Sequence, residues 1–249
     1  MGLLTKIGRL GQLISRKLRY IDSSIKAQGK LSIHPSARIR NCNIRVDKTS
    51  ELILEEGVNL KGVKLTLKNG SRVHLGAYAE LRQNTNPLKG IYIIDNGTFT
   101  VGHHTSIRAY RVWIRFGGKL EMGCYINVND GTEIRADESV KIGDYTGISY
   151  NIRIWDTNTH NIYTEEENAE KRRRDFPDMR KEHTRPKTAP VEIGPHGWIG
   201  ERSSILKGTR LGRDVIVGYN TLLSNATIED HTVVVQKPQL VTFQKKKSS

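Results

Sequence analysis

Cysteine is nearly absent from this sequence. Cys42 and Cys124 stand alone, far apart and at no metal-ligand spacing, which excludes a disulfide framework and suits a reducing compartment. Proline is scarce, with 7 residues, so a proline-rich linker or collagen-like chain is excluded. No apolar run approaches the roughly 18 residues of a membrane span. No small-residue cleavage site follows an apolar stretch near residue 1, so a signal peptide is not expected and a cytoplasmic location is. Acid is also in deficit: 26 Asp and Glu face 40 Lys and Arg, for a formal charge of +14. Much of that excess lies at the ends, in Lys6, Arg9, Arg16, Lys17, Arg19, Lys26 and Lys30, and in Lys245, Lys246 and Lys247. Basic ends suit an anionic partner, whether a membrane surface, a phosphorylated lipid-linked sugar or nucleic acid, or they simply solvate the chain.

What is abundant is a repeat. An apolar residue, a glycine, four variable residues and another apolar residue recur as Leu75-Gly76 to Leu81, Val101-Gly102 to Ile107, Met122-Gly123 to Val128 and Ile142-Gly143 to Ile148. Toward the C-terminus the register is unbroken: Ile193, Ile199, Ile205, Leu211, Val217 and Leu223 sit six apart. An amphipathic α-helix needs apolar residues every three or four, and a hairpin strand needs every second. A step of six means a short strand, a corner and another short strand, with the apolar residue inward. Three such sides close a triangular coil of roughly 18 residues, and coils stack at about the 4.8 Å strand spacing. The expected fold is an all-β, single-chain parallel β-helix over residues 29–236.

Two segments break the pattern. Residues 161–190 are charged and poor in apolar side chains, and are expected as an extruded loop; such a loop in a compact repeat is functional or disordered. Residues 1–28 place Leu3, Ile7, Leu10, Ile14, Leu18, Ile21 and Ile25 at steps of three or four. That spacing predicts a basic amphipathic helix, which either lies on an anionic membrane surface or caps the first coil. Residues 237–249 read as a basic tail.

The segments Asn129 to His160 (NDGTEIRADESVKIGDYTGISYNIRIWDTNTH) and Val191 to Leu223 (VEIGPHGWIGERSSILKGTRLGRDVIVGYNTLL), with the charged loop between them, resemble the hexapeptide-repeat acyltransferases of the sugar O-acetyltransferase type. That family includes galactoside and maltose acetyltransferases and capsule or lipopolysaccharide O-acetyltransferases. The run Asp156-Thr157-Asn158-Thr159-His160 is closest to the polysaccharide-modifying branch. The resemblance implies a left-handed coil, a cytoplasmic homotrimer with active sites between subunits, and acetyl-CoA as donor without a metal. The acceptor it implies is a saccharide, free, nucleotide-linked or lipid-linked, and not nucleic acid.

The chemistry has a clear requirement. An alcohol holds its proton too tightly to attack at neutral pH, so a positioned base must take that proton as the new bond forms, and histidine suits the task. The thioester is already activated, so no enzyme nucleophile is needed. The oxyanion that develops needs hydrogen-bond donors.

The resemblance assigns the base to His160. It assigns acceptor contacts to Asn129, Asp137 and Asp156, and donor contacts to Trp198, Glu201, Tyr219, Asn220 and Ser224. For His160 the repeat alone offers a competing reading, because position 160 is also the next inward slot after Ile154. Lys171-Arg172-Arg173-Arg174 could meet a phosphate or form a solvated face. Two rival functions share the sequence: N-acetylation of an amino sugar on the same fold, and a β-helical scaffold that binds anionic surfaces without catalysis.

Overall fold

The computed structural model describes residues 20–83, 90–179 and 181–238. Among these residues, short strands wind into three parallel sheets of nine strands each. The first coil sets the rule: Ser24–Ala27 joins the first sheet, Lys30–Ile33 the second and Arg38–Arg40 the third. Each later strand hydrogen-bonds to its counterpart one coil away, as Ile134 to Ile154 and Ile154 to Ile205. The architecture is the left-handed parallel β-helix, and the last strand among the described residues is Val233–Val234.

The step of six places the core where the sequence put it. Ile142, Ile148, Ile154, Ile193, Ile199, Ile205, Leu211, Val217 and Leu223 are all buried. They line one continuous interior with Leu52, Leu65, Tyr92, Phe99 and Ile114. Each aliphatic side chain fully removed from water contributes about 1.5–3 kcal/mol. Cys42 is buried and Cys124 half-buried, and neither is in a disulfide.

Residues 1–19, with most of the expected N-terminal helix, lie outside the described residues. Its last part is corrected. Ser24–Ala27 is a strand, and Ile25 pairs with Ile44 of the next coil. A neighbouring strand with free ladder groups outweighs a three-four spacing that continues by coincidence into residue 25. The extruded loop is also more ordered than its composition suggests, because it carries an α-helix, Glu165–Asp175. Thr164 caps it by accepting from the backbone N–H of Glu167, while the Glu167 carboxylate accepts from the N–H of Thr164.

One corner carries exposed rings. Between the second and third sheets, Tyr78, His104, Tyr125, Tyr145 and His196 stack with centroids 5.0–5.2 Å apart. All five have positive φ. Ring contact between successive coils, stacked from His104 to His196 and tilted at Tyr78, offsets that backbone strain.

Candidate active site

The coil opens after the strand Arg153–Trp155 of the first sheet. It resumes at Val191–Ile193 of the second. The neck of the extruded loop is stitched shut. Thr157 and Thr188 form an antiparallel bridge, the N–H of Asn158 donates to the carbonyl of Lys187 (3.0 Å), and that of Ala189 to the carbonyl of Asp156 (2.9 Å).

Asp156 and Asp137 build this frame and are not free for a sugar. The Asp156 side chain is fully buried and accepts from the backbone N–H groups of Asp137 (2.9 Å), Glu138 (2.8 Å) and Ser139 (2.7 Å). Burial pushes its carboxyl up to about 6, against the pull of those amides. Asp137 is equally enclosed. Its two oxygens accept from Nε and Nη2 of Arg115 at 2.9 and 2.7 Å, and a third bond comes from the Thr157 hydroxyl at 2.8 Å. Sequence reasoning gave both aspartates to the acceptor. Their burial and filled hydrogen-bonding capacity correct that assignment to framework.

The same frame aims His160. Thr157 Oγ1 accepts from the N–H of Thr159 (3.0 Å), and Arg115 Nη2 donates to the Thr159 carbonyl (3.3 Å). Thr159 has φ of 69°, so the chain turns sharply there. His160 therefore leaves the inward register, and its side chain is 55% exposed.

Across the loop, Nδ1 of His160 lies 3.1 Å from Oε1 of Glu182. The Glu182 side chain is only 2% exposed. It also accepts from the Tyr163 hydroxyl (2.5 Å) and the Asn161 side-chain amide (2.9 Å). Burial pushes the Glu182 carboxyl up, but the bonds from Tyr163, His160 and Asn161 outweigh it and hold it below the ordinary glutamate range. Lys171 Nζ stands 3.9 Å from Glu182 and 3.4 Å from Asp175, so this lysine is buried structure and not a phosphate ligand. Arg172, Arg173 and Arg174 stay exposed.

An ionised carboxylate at Nδ1 selects the tautomer with its proton on Nδ1, leaving the lone pair on Nε2. Nε2 has no partner among the described residues. Glu182 was missed in the sequence because it lies 22 residues from His160 in a charged loop, with no spacing to join them.

The other expected residues lie elsewhere. Asn129 sits at the corner between the third and first sheets, nearly buried, its amide oxygen accepting from Arg108 and Asn127. Glu201, Tyr219 and Asn220 follow third-sheet strands at the same corner. There Arg202 Nη1 donates to the Tyr219 hydroxyl (2.9 Å), and the N–H of Asn220 to the Glu201 carbonyl (2.8 Å). Trp198 projects from the third sheet, half-exposed, in register with exposed Ile216 and Val233. Ser224 is exposed at the corner between the first and second sheets. One chain thus puts His160 at one corner and most of the residues expected to contact the donor at another.

No family model matches the chain. It is 30% identical over 148 residues to the putative lipopolysaccharide biosynthesis O-acetyl transferase WbbJ of Escherichia coli (strain K12), covering 59% of this chain and 72% of that protein. It is 28% identical over 142 residues to the probable acetyltransferase Rv3034c of Mycobacterium tuberculosis (strain ATCC 25618 / H37Rv), covering 57% of this chain but only 40% of that relative's length. Among solved structures, the polySia specific acetyltransferase NeuO superposes with a TM-score of 0.58 at 15% identity, over 87% of this chain and 84% of that one, a likeness of fold. With the hexapeptide register, the looped-out histidine and the relationship to WbbJ in place, the chain belongs to the hexapeptide-repeat acyltransferases of the saccharide O-acetyltransferase type.

Proposed function

We propose that this protein transfers an acetyl group from acetyl-CoA to a hydroxyl of a saccharide or polysaccharide precursor, with His160 as general base. The observation that carries this reading is the pairing of His160 Nδ1 with the buried Glu182 carboxylate at 3.1 Å, on a ring that is half open to solvent. Nε2 takes the proton of the acceptor hydroxyl as its oxygen bonds to the thioester carbonyl carbon. The carbon–sulfur bond then breaks, and the proton passes to the departing thiolate. Glu182 holds the ring and offsets its transient positive charge.

Acetyl-CoA is a co-substrate here, and the third sheet suits it. The aligned column of Trp198, Ile216 and Val233 is an exposed apolar track fit for a pantetheine arm. Glu201, Tyr219, Asn220 and Ser224 lie within the coils that carry it. Because this track and His160 occupy different sides of one prism, the complete site takes His160 from one protomer and the track from its partner. That supports a homotrimer with three inter-subunit clefts.

The test is acetyl transfer to saccharide acceptors followed by mass detection. His160→Ala is expected to lose roughly 100-fold or more in turnover with its circular dichroism unchanged, and the product to lose its acetyl group in mild base. Full activity in that variant overturns the mechanism, and a base-stable amide product overturns the O-acetyl assignment.

A further inference from the structure

The outer face of the first sheet, beside the loop that carries His160, holds a small grid of side chains that the reaction above does not use. One column is Arg111, Glu133, Arg153 and the next is Trp113, Arg135, Trp155, each row one coil from the last. Arg135 is the centre of the second column. Its guanidinium carbon lies 5.4 Å from the ring of Trp113 and 4.6 Å from that of Trp155. Its Nε donates to Glu133 Oε1 at 2.9 Å. Among the described residues its two terminal nitrogens have no partner, yet the side chain is 13% exposed.

The charge of the grid does not balance. Arg115 is consumed by its two bonds to Asp137. Among the described residues, Arg111 (3.3 Å), Arg135 (2.9 Å) and Arg153 (3.9 Å) all share the Glu133 carboxylate, so three guanidinium groups crowd around one acid. The Asp156 carboxylate is committed to the backbone of Asp137 to Ser139. The indole N–H of Trp155 is buried with no acceptor among the described residues, so the grid is short of acceptors on a second count. The grid is linked to His160 through Arg115, which stacks 4.4 Å over Trp113 and donates to the carbonyl of Thr159, the neighbour of His160.

Resting on the acetyltransferase reading, we propose that this grid is an anion subsite centred on Arg135, which seats a carboxylate or phosphate carried by the saccharide acceptor. A guanidinium clamped between two indoles is already oriented, so little freedom is lost when its outer fork meets a planar anion. The indole faces beside it offer stacking surface for an apolar sugar face. Acetyl-CoA also carries phosphates, so the test has separate arms for donor and acceptor.

Binding to the full chain is read by tryptophan fluorescence, with Trp113 and Trp155 as reporters. The probes are oligogalacturonate, glucose 1-phosphate, neutral maltotetraose and coenzyme A. Saturable binding of at least one acidic sugar but not of maltotetraose is expected, weakening as salt is added. Arg135→Met should weaken that binding roughly tenfold or more, Arg135→Lys should retain part of it, and neither should change coenzyme A affinity. Arg135→Lys keeps the experiment decisive if the methionine variant does not fold. Undiminished acidic-sugar binding in both variants, no acidic-sugar binding by the unaltered protein, or a loss confined to coenzyme A each overturns the proposal. Failure of coenzyme A to bind the unaltered protein would instead refute the acetyltransferase reading, whatever the sugars do.

Discussion

Glu182 Oε1 lies 3.1 Å from His160 Nδ1, and the loop that separates them in sequence is what brings them together. The carboxylate is enclosed by Tyr163, Asn161 and the helix Glu165–Asp175, while the imidazole stays half open. Replacing the charge while keeping the shape isolates its contribution. Glu182→Gln is expected to lower kcat roughly tenfold or more, since the imidazolium that forms during transfer loses its counter-charge. KM for acetyl-CoA should not move, because the enclosed Glu182 side chain reaches the site only through the His160 ring. A kcat equal to that of the unaltered protein would remove Glu182 from the mechanism.

Arg115 and Asp137 form a buried ion pair, their side chains 8% and 1% exposed. Taking away one partner leaves the other charge enclosed and unmatched, at a cost of about 3–5 kcal/mol. Arg115→Met should therefore lower the urea midpoint far more than a substitution at exposed Arg172 or Arg173. Activity should fall as well, because the Thr159 carbonyl loses the donor that holds the turn into His160. A midpoint within error of the unaltered protein would mean that the pair does not hold the frame.

Most of the fold was legible in the sequence because the period of six has no rival reading: Ile193 to Leu223 step inward without a break. His160 could be picked out from its place at the end of Asp156-Thr157-Asn158-Thr159, but its outward direction could not. Position 160 continues the inward series, and only the turn at Thr159 diverts it. Asp137 and Asp156 were given to the acceptor by family resemblance, and an aspartate in a repeat motif looks the same in sequence whether it meets sugar hydroxyls or the protein's own donors. The difference is burial, which a local pattern does not report. Glu182 and Arg135 meet their partners one loop or one coil away. The helix in the loop did leave a local signal, the capping pair Thr164 and Glu167, outweighed by the surrounding charge.

The buried Asp156 gives stability a sign with pH. Its carboxyl titrates near 6 in the folded protein against an ordinary value of 3.8, so the folded state holds this proton more tightly than the unfolded chain does. The contribution is fully present below about 3.8 and is lost as pH rises toward 6. It amounts to about 3 kcal/mol. Urea unfolding from pH 4 to pH 7 should show the unaltered protein losing ground to Asp156→Asn across that window. A gain in place of a loss would mean that the three amide donors outweigh burial and that the anion is the favoured form.

Gly147 offers a way to move Trp198 without touching it. A Cβ at position 147 would meet Cε3 and Cζ3 of the Trp198 ring at 2.5 and 2.7 Å. The two residues pair across neighbouring coils of the third sheet, so the ring lies over the glycine. A side chain there must push the indole off the sheet, and a half-exposed indole that opens a two-residue strand can yield without disturbing the core. Gly147→Ala is therefore expected to shift tryptophan emission and to change the unfolding midpoint little. If the ring forms one wall of the donor track, KM for acetyl-CoA should rise several-fold while kcat at saturating donor stays near that of the unaltered protein. Loss of kcat with KM unchanged would place Trp198 at the reacting centre. No kinetic change at all, with the emission shifted, would leave Trp198 outside the donor track and return the search for that track to Tyr219 and Asn220.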